Sequence, residues 1–225
     1  MTANVEIGQR LRDARTRQGI SLRAIAQAVG VSPSLISQVE TGKTQPSVST
    51  LYALVNQLGI SLDELMGHEP WTSPPTKDAP GPMLPYPPSV QRAGKGPTLE
   101  MENGVRWERL AIGADGMADA FLATYEPSAS SSVEGKLMRH AGIEYGYIIE
   151  GELTLQLEFD TQVLGPGDSL HFDSARPHLY VNNGTVPARG VWFVVGRRQA
   201  GSSTDDASTG AMNSAVDVLR AMDQI

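Results

Sequence analysis

A chain of 225 residues has room for two compact domains, and its lack of cysteine excludes disulfides, thiolate zinc sites and cysteine nucleophiles together. No apolar run approaches the ~18 residues needed to cross a bilayer, and the opening MTANVEIGQRLRDARTRQG is too polar for a secretory signal, so a cytoplasmic protein with no membrane partner is expected. The formal charge of −7 is unevenly spread: before residue 45, Arg10, Arg12, Arg15, Arg17, Arg23 and Lys43 outnumber Glu6, Asp13 and Glu40, a basic balance compatible with DNA.

Up to about Met66 the texture is helical. Ile7, Leu11 and Ala14 recur at three- and four-residue spacing, followed by Leu22, Ile25, Ala26 and Val29. Ser21 is placed to cap the helix LRAIAQAV, and Gly30 stands where a left-handed residue must end it. A second helix starts at once: Ser32 is its N-cap, and Pro33 takes the first position, where a missing N–H costs nothing. Leu35, Ile36 and Val39 turn inward, while Ser34, Ser37 and Gln38 turn out. Two helices joined by a short turn, the second with small polar groups on its outer face, suit insertion into a major groove. Gln38 can offer adenine a bidentate donor–acceptor pair, worth roughly 1–3 kcal/mol of discrimination.

The stretch GQRLRDARTRQGISLRAIAQAVGVSPSLISQVETGKTQPSVSTLYALVNQLGISLDELM resembles the phage-repressor-like (XRE, lambda-repressor-like) helix-turn-helix family of transcriptional regulators. The resemblance implies that Ser32, Ser34 and Gln38 read base edges or line the groove, with Pro33 and Ser37 on the same helix. It implies phosphate contacts for Arg23, Lys43, Thr44 and Ser47, and a structural ion pair between Arg15 and Glu40. A helical bundle that kept the fold but lost the DNA is the alternative. The polar outer face and basic turn of ISQVETGKTQPS favour the reader.

Residues 68–88 are too rich in proline for helix or central strand and are expected to form an extended linker. His68, at its start, receives no role. From about residue 89 the texture becomes β: VRWERLAI, AFLATYEP, EYGYIIEG, ELTLQLEF, SLHF, HLYVNN and ARGVWFVVG, punctuated by turn residues. Met138, His140 and Glu144 share a strand face by parity, and Tyr145 and Tyr147 take the opposite one, where packing, against a partner subunit for instance, is their default role. Gly165-Pro166-Gly167-Asp168 makes a tight turn before the strand that precedes His178 and Asn182. Two histidines and a glutamate from different strands meet only if the sheet closes.

HAGIEYGYIIEGEL and LGPGDSLHFDSARPHLYVNNG resemble the paired motifs of the cupin family. The expected fold is therefore α + β in two domains: an N-terminal all-α helix-turn-helix bundle (1–67) and a C-terminal all-β cupin barrel, the double-stranded β-helix (89–197). The tail 198–225 ends in SAVDVLRAMDQI, which can form a short amphipathic helix. The cupin resemblance implies metal ligands at His140, Glu144 and His178, while Met138 stands where metal-binding cupins carry another histidine. Thioether is a soft ligand. Two imidazoles and a carboxylate suit one divalent iron, zinc or nickel ion, and a polar cluster that binds ligand or water without metal is the alternative. His171 is expected at the surface or rim.

Three functions follow. The first is a sequence-specific transcriptional regulator, acting as a homodimer on a two-fold DNA operator, whose barrel senses a small-molecule effector; it would not be an enzyme. The second is a mononuclear non-haem iron cupin enzyme, oxygenase- or epoxidase-like, that carries a helix-turn-helix domain. The third is a regulator whose barrel only dimerises, its pocket filled by its own side chains.

Overall fold

The structure, a computed structural model, describes residues 3–66, 90–111 and 118–196. The expected linker at 68–88, His68 and the tail at 198–225 lie outside the described residues.

Among the described residues five helices come first: α1 (Ala3–Arg17), α2 (Leu22–Val29), α3 (Pro33–Glu40), α4 (Val48–Leu58) and the single turn α5 (Leu62–Leu65). Their bounds follow from their caps. Ser21, Ser32, Ser47 and Ser61 each accept a backbone N–H of the first turn, and Gly30 and Gly59 end α2 and α4 with φ of 74° and 60°. Ile7, Leu11 and Ala14 of α1 pack with Ile25, Ile36, Val39, Leu51 and Val55 into one buried core. No helix among the described residues is long and apolar enough to cross a membrane.

Nine strands follow among the described residues: β1 (Thr98–Glu100), β2 (Val105–Arg109), β3 (Ala118–Tyr125), β4 (Ile143–Glu150), β5 (Leu153–Leu157), β6 (Asp160–Leu164), β7 (Ser169–Asp173), β8 (His178–Val181) and β9 (Ala188–Val195). A six-stranded sheet runs β1-β2-β3-β9-β4-β7 and a three-stranded sheet runs β6-β5-β8, with every pairing antiparallel. Along β4 and β9 buried and exposed residues alternate, so one face of the large sheet looks into the barrel and the other outward. Isolated bridges from Ser130 to Val181 and from Met138 to His178 tie the connections around β8 into the wall.

The helical head is seated on the barrel through the start of α4. The Ser49 amide donates to the Ser131 carbonyl at 3.0 Å, and the Glu102 amide donates to the Pro46 carbonyl at 3.1 Å. Tyr52 of α4 meets Trp107 of β2 edge to face, with ring centroids 5.7 Å apart.

Candidate functional site

Two sites are built by this fold, one on the head and one in the barrel. On the head, α3 is fixed from both ends. Ser32 accepts the Leu35 amide at 3.1 Å, and the Gln38 carbonyl accepts the Lys43 amide at 2.8 Å. Ile36 and Val39 anchor its inner face. Arg15 of α1 grips Glu40 with two parallel hydrogen bonds, Nε to Oε1 at 2.6 Å and Nη2 to Oε2 at 2.8 Å. The Glu40 bond raises the Arg15 guanidinium further above its ordinary range, against an opposing effect of burial. The pair is buried and joins α1 to the end of α3, the structural place expected of it.

With that inner face locked, Ser32, Pro33, Ser34 and Gln38 are exposed and Ser37 is half-buried. The Gln38 amide reaches the Ser34 hydroxyl at 3.5 Å, one helical turn away. Arg23 and Lys43 are exposed, and Thr44 is half-buried in the turn after α3. Ser47 is an enclosed cap. Its side chain is only 1% exposed, and its hydroxyl caps the Thr50 amide and bonds the hydroxyls of Ser49 and Thr50.

In the barrel, His140, Glu144 and His178 are brought together from three places: the segment before β4, β4 itself and the start of β8. All three are buried, and one ligand atom from each lies within 4.8 Å of the others. His140 Nε2 is 2.7 Å and His178 Nε2 is 3.2 Å from the same Glu144 oxygen, Oε1. Each Nδ1 points at a backbone carbonyl, Ala141 at 3.2 Å and Arg176 at 2.8 Å. A carbonyl can only accept, so each Nδ1 carries the hydrogen and each Nε2 turns a lone pair inward. Both Nε2 atoms are buried with no hydrogen-bond partner.

Lone pairs of two imidazoles and a carboxylate directed at one point repel unless a cation lies among them. Donors ~2.1 Å from a metal and at right angles to each other stand ~3.0 Å apart, and the observed 2.7 and 3.2 Å bracket that spacing. The residues present therefore fit a divalent ion. Burial pushes the Glu144 carboxyl up, and only positive charge at the His140 and His178 Nε2 positions, where a cation would stand, outweighs burial and holds it well below the usual carboxylate range. Its second oxygen accepts the Tyr180 hydroxyl at 2.7 Å, and Trp192 Nε1 donates to that hydroxyl at 3.3 Å. Burial, reinforced by the Glu144 charge, pushes the Tyr180 phenol far up, so it keeps its proton for the carboxylate.

Met138 lines the cavity beside Glu144, as parity predicts. Trp107, Tyr125 and Trp192 also line it, whereas Tyr145, Tyr147 and His171 lie on the outer surface. Two further groups, which the sequence reading missed, complete the site. Tyr180 shares strand parity with His178 and was legible on that ground. Tyr52 was not, because it comes from the other domain: its ring lies flat on His140, centroids 4.1 Å apart and planes 6° from parallel.

A helix-turn-helix family model matches residues 11–65, and a cupin domain model matches residues 121–194. The transcriptional regulator PuuR of Escherichia coli is 28% identical over 176 residues, covering 78% of this chain and 86% of PuuR. SutR, a second HTH-type transcriptional regulator of that organism, is 25% identical over 77% of this chain and 85% of its own length. The chain carries a helix-turn-helix domain and a cupin domain, and over most of its length it is similar to HTH-type transcriptional regulators. The crystal structure of a helix-turn-helix transcriptional regulator from Vibrio cholerae is similar in fold, with a TM-score of 0.59 and 21% identity, over 87% of this chain and 97% of that one. The architecture is thus α + β in two domains, a helical head and a cupin barrel.

Proposed function

We propose that this regulator is a cytoplasmic homodimer that reads a specific DNA operator with α3 and senses a small-molecule effector in its cupin barrel. In this reading residues 1–67 are the reading head, 68–88 the linker, 89–197 the sensor and 198–225 the tail. The observation that carries it is the contrast between the two faces of α3. The inner face is locked by Ile36, Val39 and the Arg15–Glu40 pair, and the outer face presents Ser34 and Gln38 exposed and in register. Gln38 and Ser34 would meet base edges, with Ser32, Pro33 and Ser37 along the groove. Arg23, Lys43 and Thr44 would hold phosphates and so set register without selecting sequence.

In the barrel His140, Glu144 and His178 would hold one divalent ion, iron, zinc or nickel, which when bound supplies a Lewis-acidic anchor for an effector's donor group. Tyr180 holds Glu144 in orientation, and the aromatic wall of Trp107, Phe121 and Trp192 excludes water around it. A second copy of the chain would cover the outer face of β4 and β9, where Ile143, Tyr145, Tyr147, Ile149 and Phe193 are each more than two-fifths exposed. An apolar stripe of that kind marks an association surface, and a two-fold dimer brings the same patch of both copies together.

Binding of the full chain to DNA from upstream of its own gene, followed by fluorescence anisotropy against scrambled competitor, tests the reading. The wild type is expected to prefer the specific DNA by ~10³ or more, and Gln38→Ala to lose much of that preference. Weak binding with no sequence preference and a steep salt dependence would contradict it. The two-histidine, one-glutamate cluster also favours a second reading, iron-dependent oxidation of a small substrate. That reading requires turnover by iron-loaded protein that Glu144→Ala abolishes while DNA binding persists.

A further inference from the structure

We infer that the DNA-reading head gates the barrel: Tyr52 of α4 closes the site over His140, Glu144 and His178, and a flat, ring-bearing effector enters by taking Tyr52's place, which lifts α4 from the barrel. The inference rests on the reading of the barrel as an effector site.

The cavity beside Glu144 has a volume of about 20 Å³, room for little more than one water molecule. Its wall is shared between domains, Val48 and Tyr52 from the head and Trp107, Glu144 and Trp192 from the barrel. The Tyr52 side chain is 3% exposed. Its ring fills a slot bounded by His140 on its flat side and Trp107 at 5.7 Å edge to face. That slot is shaped for a ring and holds one that the chain itself supplies. Any effector larger than water must therefore compete with Tyr52. Tyr52 is fixed within α4, whose neighbours Leu51 and Val55 belong to the core that also holds α3. Displacing it moves the head as a unit and breaks the Ser49–Ser131 and Glu102–Pro46 contacts beside it. In the closed state Ser34 and Gln38 are exposed, so the barrel does not mask the reading face. Effector occupancy would change where the head stands relative to the barrel, and hence the spacing of two heads in a dimer, which is differential binding between two geometries.

Modification of histidines by diethyl pyrocarbonate, a reagent too large for the closed cavity, tests the gate in the full chain, with exposed His171 as the internal reference. His140 is expected to react about tenfold or more slowly than His171 in the wild type, and Tyr52→Ala to remove most of that protection. Because the chain has no cysteine, a Ser49→Cys/Ser131→Cys pair can lock α4 to the barrel while Tyr52 stays in place. His140 should react more slowly still when that pair is oxidised and recover on reduction. As a ring probe, p-cresol should slow closure of the disulfide in a saturable way; a closing rate that ignores it overturns the ring-shaped effector. Equal His140 rates in the wild type, Tyr52→Ala and the oxidised pair overturn the gate. Cobalt(II) uptake by the same samples reads the metal site separately, so failure to bind cobalt with the protection pattern intact refutes the metal and leaves the gate standing.

Discussion

Arg15 and Glu40 stand 25 residues apart in sequence and meet through two short hydrogen bonds in a place from which water is largely excluded. Removing one partner of such a pair leaves the other charge buried and unanswered, which costs about 3–5 kcal/mol. Glu40→Ala is accordingly expected to lower stability to urea by about that amount, and to weaken DNA binding because α3 loses its clamp. A loss below 1 kcal/mol would place the pair in a solvated environment instead. The pair was legible in the helix-turn-helix resemblance, and the serine caps at Ser21 and Ser32 were legible from propensity alone. Ser47 was less legible, because a serine between a turn and a helix suits a phosphate and a cap equally well.

At the scale of elements, α1 and α3 approach so closely that Gly8 has no space for a side chain. A Cβ there would collide with the Val39 and Glu40 carbonyl oxygens at the end of α3. Backbone cannot yield as a side-chain tip can, so Gly8→Ala is expected to destabilise the head by about 1–3 kcal/mol despite the higher helix propensity of alanine. Thermal unfolding checks the sign: a variant more stable than the wild type would mean that α1 shifts freely on α3. Most of the barrel strands were visible as alternating apolar runs, since β4 and β9 bury every second residue. β1 and β6 were not. β1 spans three residues, and β6 is exposed along most of its length with no inward face to pattern it. Its place is set by a hairpin in which Glu158 adopts a φ of 56°, and by pairing with β5.

At the scale of the whole molecule, what sequence could not disclose is the contact between domains. His140, Glu144 and His178 were readable as a constellation because strand parity and the cupin motifs placed them on one face. Tyr52 carries no such mark, since its partner His140 lies in another domain and the stacking exists only after docking. The outer face of β4 and β9 poses the same kind of question between copies. Phe193→Glu, on a side chain 44% exposed, should barely alter monomer stability and should shift the chain from dimer to monomer in light scattering. An unchanged mass would contradict the proposed pairing through this face.

In the proposed function α3 reads a defined sequence from a two-fold assembly. Selection from a random DNA library by the full-length protein, with Gln38→Ala alongside, tests it most directly. The prediction is an enriched palindrome with half-sites about one helical turn, ~34 Å, apart, whose consensus degrades at one position per half-site in the variant. Enrichment of no sequence, or a consensus unchanged by Gln38→Ala, would contradict it.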